Sequence, residues 1–303
     1  GKARPGIITF EGAMHGRTMG AALMGGNPGS RAWVGHDDPN LYRLDFPTPW
    51  ALGNMTGAER ARRDLQALEA RGIDLARDVC GILLETYQGW GAIFYPADYV
   101  QAMADYARAN NVLLTFDEIQ SGFGRTGELF GYQHYGVEPD LICCGKGMSS
   151  SLPLAAVLGR AEVMDLAEIG SMSSTHSANP LVCAAGLANI EVIEDENLVA
   201  EARRKGELLH QALDALRKRW PKRISHVLGK GMVAAVLVVD PETGAADGAS
   251  ASRICELCLQ RGLLLVHTGR ESIKMGPPLV TPDDALLEGV EVLAGAMADV
   301  FGG

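Results

Sequence analysis

The chain has 303 residues, 47% hydrophobic and 21% charged, which excludes disorder as the default and allows one large core or two linked domains. Its 27 Lys and Arg face 37 Asp and Glu, and a net charge of −10 argues against nonspecific binding to nucleic acid or an anionic membrane surface. No apolar run approaches the roughly 20 residues that span a bilayer, the longest being Met232 to Val239, and no signal-peptide pattern opens the chain. Gly1-Lys2-Ala3-Arg4-Pro5 has no initiator Met and runs straight into a strand, the pattern of a fragment boundary.

Short apolar runs predict strands at Gly6–Phe10, Val79–Glu85, Val112–Asp117, Leu141–Cys144 and Leu154–Leu158, with helices at Ala58–Ala70 and Ala97–Asn110 between them. Continuous apolar strands are buried on both faces, so the expected class is α/β, a mainly parallel sheet covered by helices. Functional groups in such sheets gather at the carboxyl ends of strands, where Glu85, Asp117 and Lys146 fall. After Asn179 the character changes. Helices are predicted over Pro180–Glu194, Leu198–Arg219, Ala249–Arg261 and Pro282–Phe301, with strands at Val233–Val239, Leu263–Val266 and Ser272–Met275. The reading is a large domain over 1–190 and a smaller C-terminal α+β domain over 191–303.

Six cysteines include Cys255 and Cys258, spaced as Cys-x-x-Cys, yet the run Arg253–Leu259 is helical in pattern and turns both toward a core. No second pair or His pair completes a zinc site, so no metal is expected, and free thiols suit a reducing cytoplasm. Gly122-Phe123-Gly124-Arg125-Thr126-Gly127 matches a dinucleotide fingerprint, but no amphipathic helix follows it, since Leu129 to Pro139 holds Gly131, Gly136 and Pro139. Gly145-Lys146 fails as a P-loop because Gly147 stands where Ser or Thr must bind magnesium.

Lys146 lies between two glycines just after the run Leu141–Cys144, and Asp117 ends the run Val112–Asp117. A lysine beside an apolar strand end is expected to be poorly solvated, which favours its neutral amine. A carboxylate at a neighbouring strand end can hold a protonated heterocyclic nitrogen. Amine and anion together are what pyridoxal 5'-phosphate requires. Singly, each has an ordinary structural use, Lys146 as a solvated turn residue and Asp117 as a cap or ion-pair partner.

Four segments act as a set. Asp117-Glu118-Ile119-Gln120-Ser121-Gly122-Phe123-Gly124-Arg125-Thr126-Gly127, Pro139–Gly147, Ser174-Thr175-His176-Ser177-Ala178-Asn179-Pro180 and Gly12-Ala13-Met14-His15-Gly16-Arg17-Thr18 resemble, in order and spacing, motifs of the class III aminotransferases of the ornithine and 4-aminobutyrate type. The resemblance implies a pyridoxal-phosphate fold of type I with a seven-stranded-type sheet, and a homodimer with active sites at the interface. It implies Lys146 as the Schiff-base lysine and proton shuttle, and Asp117 as partner of the pyridine nitrogen. Gln120 would lie near the ring hydroxyl, Thr175 on a phosphate, and Met14 and His15 at the ring. Glu85, Lys274 and Arg270 would face substrate, an amine or amino acid exchanging its nitrogen with a keto acid or aldehyde. Racemase, epimerase or aminomutase chemistry on the same residues, and a catalytically idle structural homologue, are the alternatives.

The chain also departs from the family pattern. The resemblance implies about a hundred further residues ahead of Gly1, among them a helix start whose N–H groups bind phosphate. Met14 stands where an aromatic usually stacks, and a thioether can pack on a π face but more loosely. Lys274 replaces an arginine and so lacks its bidentate fork, with Arg270 close by in sequence. Glu85-Thr86 replaces a usual Glu-Pro.

Overall fold

The computed structural model of the protein describes residues 4–302. The chain divides into two compact units: Gly1–Gly89, Phe94–Gly122 and Gly131–Glu191 form one, and Trp90–Ile93, Phe123–Phe130 and Val192–Gly303 the other.

The first unit carries β1 (Gly6–Phe10), β2 (Leu41–Leu44), β3 (Val79–Glu85), and the two-residue strand β4 (Tyr87–Gln88). After the equally short β5 (Ile93–Phe94) come β6 (Leu113–Asp117), β7 (Leu141–Cys144) and β8 (Ala156–Gly159). Six strands make one sheet in the order β2-β1-β3-β6-β7-β8, parallel except where β8 runs against β7. The described residues supply six strands of a sheet expected to be of the seven-stranded type. The antiparallel step follows from length: the link between β7 and β8 holds no crossover helix, which a parallel return needs.

Helices cover this sheet for reasons written in the sequence. Helix Gly57–Ala70 opens on a reciprocal cap, Thr56 Oγ1 accepting the Glu59 N–H at 3.1 Å and the Glu59 carboxylate accepting the Thr56 N–H at 2.8 Å. It buries Ala61, Leu65 and Leu68, one stripe at helical spacing, and packs on helix Ala97–Ala109. Between them the Tyr99 hydroxyl donates to Asp64 at 2.9 Å, and Arg60 reaches the other oxygen at 2.7 Å. The core joins Ile8 and Phe10 of β1, Ile82 and Leu84 of β3, and Leu114 and Phe116 of β6.

The second unit is a four-stranded antiparallel sheet, β11 (Val266–His267), β12 (Ser272–Met275), β10 (Val233–Val238) and β9 (Ile224–Lys230), in that order. All six residues of β10 are buried. Helices Leu198–Arg219, Gly248–Gln260 and Asp283–Phe301 share its core, and Cys255 and Cys258 are buried free thiols in the second of them. The Gly122–Gly127 run opens no helix. Its Arg125 donates instead to the carbonyls of Met232 (2.8 Å) and Pro277 (2.5 Å), holding Phe123–Phe130 within this unit.

Candidate active site

Parallel pairing brings three strand ends into one row. Glu85 lies opposite Asp117, and Asp117 lies opposite Cys143, three residues before Lys146. The row is set by register, so a one-residue slip of β6 would turn Asp117 to the wrong face.

Asp117 is 7% exposed, and its carboxylate accepts the Ile119 N–H at 3.1 Å and faces His15 Nδ1 at 2.8 Å. A carboxylate ion only accepts, so this pairing calls for the His15 proton on Nδ1. Its Nε2 is buried and has no hydrogen-bond partner among the described residues. The loop bearing His15 leaves β1 over Gly26. Here a side chain is impossible: a Cβ would lie 2.1 Å from the Gly12 nitrogen and 2.3 Å from the Phe10 carbonyl oxygen. The Gly26 N–H in turn donates to the Ala13 carbonyl at 2.9 Å.

Glu85 is buried, and its carboxylate accepts the N–H groups of Met14 and Gly89, each at 3.2 Å. Burial pushes it up to about 7 and the neighbouring Asp117 adds to this, while His15 and the two N–H groups pull the other way. Gln120 belongs to the same corner, since a Cβ on Gly89 would meet Glu85 Oε1 at 3.0 Å and Gln120 Oε1 at 3.4 Å.

Lys146 opens the one-turn helix Lys146–Met148 at φ 40°, and its carbonyl accepts the N–H groups of Ser149 and Ser150. The poor solvation expected of it is corrected: the lysine is exposed, because it stands beyond the strand end on a turn. That turn is fixed on both sides. Asn189 donates to the Gly147 carbonyl at 2.8 Å, and Ile119 packs on Gly145, where an added Cβ would meet its side chain at 3.4 Å. Cys143 and Cys144 beneath are pushed up to about 11 and about 12, mainly by burial, which makes them inert thiols.

The remaining expected residues are spread more widely. Met14 is 44% exposed. Thr175 lies on an exposed turn that Ser177 closes by donating to the Ser174 carbonyl. In the second unit, Lys274 is buried on β12 between Ala235 and Val266. Arg270 is exposed and lies flat over the Trp90 ring, 3.6 Å from its centre, while Ser272 Oγ donates to the Trp90 carbonyl. Sequence reasoning did not single out Trp90. Nor did it give a role to Glu118, a fully buried carboxylate directly after Asp117, although two acids ending an apolar run were visible.

These residues suit pyridoxal phosphate. A desolvated anion held by an oriented imidazole can meet a ring nitrogen, and an accessible amine stands beyond the adjacent strand.

Comparison with known proteins agrees. The family described as Aminotransferase class-III matches residues 1–297. The 4-aminobutyrate aminotransferase of Mycobacterium tuberculosis (strain ATCC 25618 / H37Rv) is 33% identical over 98% of this chain and 68% of its own length. An alanine/serine racemase of Pyrococcus horikoshii is 32% identical over 99% of this chain and 65% of its own. The crystal structure of a thermostable (S)-enantioselective omega-transaminase from Thermomicrobium roseum superposes with a TM-score of 0.88 at 30% identity, over 98% of this chain and 68% of that one.

Proposed function

Since this chain belongs to the class-III aminotransferase family, and so to enzymes that move amino groups with pyridoxal phosphate, we propose that Lys146 and Asp117 carry that chemistry here. The carrying observation is the row of strand ends that sets a buried, imidazole-bound carboxylate on β6 beside the β7 exit bearing the lysine. When bound, the cofactor supplies an aldehyde carbon for the amine and an electron-withdrawing ring.

Each residue then has a physical task. Asp117 would grip a protonated ring nitrogen, oriented by the 2.8 Å contact with His15 Nδ1 and by the Ile119 N–H. Lys146 Nζ would hold the cofactor until the donor amine displaces it, and the freed amine would then carry the proton from the donor's carbon to the cofactor. Its exposure lets donor and acceptor reach it in turn, so kinetics should be ping-pong. Gln120 would adjoin the ring hydroxyl, Thr175 a phosphate, and Met14 a ring face. Glu85, Lys274 and Arg270 are assigned to substrate, an amine or amino acid on one side and a keto acid or aldehyde on the other. We take 1–190 as the cofactor domain and 191–303 as the smaller one.

A homodimer fits the exposed apolar side chains that flank the Thr175 turn, Leu166, Ile169, Met172 and Leu181, since a monomer seldom leaves such a row in water. Six free cysteines support a cytoplasmic setting. No helix among the described residues is long and apolar enough to cross a membrane.

The test is single-turnover conversion of an amino donor by the protein loaded with pyridoxal phosphate, with and without a keto-acid acceptor. Stoichiometric nitrogen transfer that disappears in Lys146→Ala supports the proposal. Full turnover by Lys146→Ala would end it. The racemase relative gives a second reading, proton return to the substrate carbon without nitrogen transfer. Deuterium exchange at that carbon, with no amine moved, would favour it.

A further inference from the structure

Resting on the assignment of Asp117 and Lys146, we propose that Glu118 is the positioning residue of this site. Its carboxylate and backbone tie together the three strand exits that bear Glu85, Asp117 and Lys146, and Thr86 is its key partner.

Glu118 is 0% exposed, and four donors converge on it. Oε1 accepts from Thr86 Oγ1 at 2.5 Å and the Tyr132 N–H at 2.7 Å. Oε2 accepts from Ser121 Oγ at 2.6 Å and the Gly131 N–H at 2.9 Å. A carboxylate offers about four lone-pair sites, so every one is used. Burial raises its proton affinity, and the four donors oppose that. The partners of this buried carboxyl are hydroxyl and peptide dipoles rather than a cation.

The geometry gives this cluster a purpose beyond neutralising one acid. Thr86 is the residue after Glu85, so its hydroxyl fixes the β3 exit. A second bond fixes the same peptide: Tyr135 Oη donates to the Thr86 carbonyl at 2.5 Å and accepts the Tyr95 N–H at 3.1 Å. Glu118 itself is the β6 exit, between Asp117 and the Ile119 whose N–H the Asp117 carboxylate accepts. Its own N–H donates to the Cys143 carbonyl at 2.9 Å, three residues before Lys146. It also joins Ser121, on the turn after β6, to Gly131 and Tyr132 at the start of the short helix Gly131–Tyr135. A change at Glu118 reaches Asp117 through one peptide bond. Thr86 is the informative partner because valine keeps its shape and removes only the hydroxyl.

The experiment compares wild type, Thr86→Val, Thr86→Ser and Glu118→Gln in the full chain. Hydrogen exchange at the Ile119 amide is read in cofactor-free protein, together with melting temperature. Pyridoxal phosphate affinity and the pH dependence of its absorbance are read after loading. Thr86→Val should speed Ile119 exchange and weaken cofactor binding by about tenfold or more, the worth of a hydrogen bond to a charged group. It should also displace the absorbance pH profile, melt within a few degrees of wild type, and be rescued by Thr86→Ser. Glu118→Gln should be worse, because its amide group turns a donor toward two donors. Wild-type exchange, affinity and pH profile in Thr86→Val would overturn the proposal, as would losses no larger than its unfolded fraction. If wild type takes up no cofactor, the assignment of Asp117 and Lys146 fails, while Ile119 exchange still decides whether Glu118 positions the strand exits.

Discussion

Replacing Asp117 by Asn tests the charge and little else. The carboxylate is 7% exposed, faces His15 Nδ1 and accepts the Ile119 N–H. The carboxamide keeps an oxygen for one and can offer its amide to the other if His15 moves its proton to Nε2. The fold should therefore lose about 1 kcal/mol, the net worth of an ordinary hydrogen bond. The function should lose far more. At an effective dielectric of about 20, opposite charges about 4 Å apart attract by ~4 kcal/mol. That is about three pH units on a protonated partner nitrogen, or roughly a thousandfold in the rate of a step that needs its charge. The assay is the single-turnover rate with saturating donor, followed by cofactor absorbance, beside a melting curve. A rate within tenfold of wild type, in a protein that binds cofactor, would refute the reasoning.

Other consequences follow from single contacts. Glu85 is raised from the ordinary 4.5 to about 7, so the folded state holds its proton more tightly than the unfolded state does. Its contribution to stability is complete below about pH 4.5 and fades as pH rises through 7, a loss of about 3 kcal/mol at most. Glu85→Gln should flatten that decline in urea titrations at pH 5 and pH 8. An unchanged slope would show that Glu85 is not its source. Tyr99→Phe removes the 2.9 Å bond to buried Asp64 and should cost about 1.5–3 kcal/mol by urea unfolding while leaving nitrogen transfer intact. Cys183 is exposed, while Cys255 and Cys258 are buried and each pushed up to about 11, so a thiol reagent should label Cys183 first. Cys183 lies two residues after exposed Leu181, so dimer formation over that surface should slow its labelling. Equal rates in dilute and concentrated protein would argue against the dimer.

Elements with a clear apolar run or stripe were readable from the residues, and weakly patterned ones were not. Gly6–Phe10, Val79–Glu85, Leu141–Cys144, Ser272–Met275 and Leu198–Arg219 have the bounds expected of them. Their apolar runs or stripes are dense enough that burial leaves one solution. β2, Leu41-Tyr42-Arg43-Leu44, was missed because turn-forming residues, Asp37-Asp38-Pro39-Asn40 before it and Pro47 and Pro49 after it, made the stretch read as loop. β9, Ile-Ser-His-Val-Leu-Gly-Lys, was missed because its half-exposed face carries polar residues and a glycine. The run Leu263–Val266 looked like a strand, yet only Val266 and His267 pair with β12, since an apolar run does not say where the ladder begins. In the site, Asp117 and Lys146 were visible as polar residues at strand ends. The bond from His15 to Asp117 spans 102 positions and was not visible, because no local pattern encodes it. Thr86 read only as a departure from Glu-Pro, and its hydroxyl acquired a partner once β3 and β6 stood side by side.

The most direct measurement is chemical. The chain is mixed with pyridoxal phosphate, reduced with borohydride and digested, and the peptides are weighed. The reduced cofactor is expected on one peptide, the one containing Lys146, with no label in Lys146→Ala. Label on another lysine, or scattered over many with Lys146 unmodified, would contradict the assignment of Lys146.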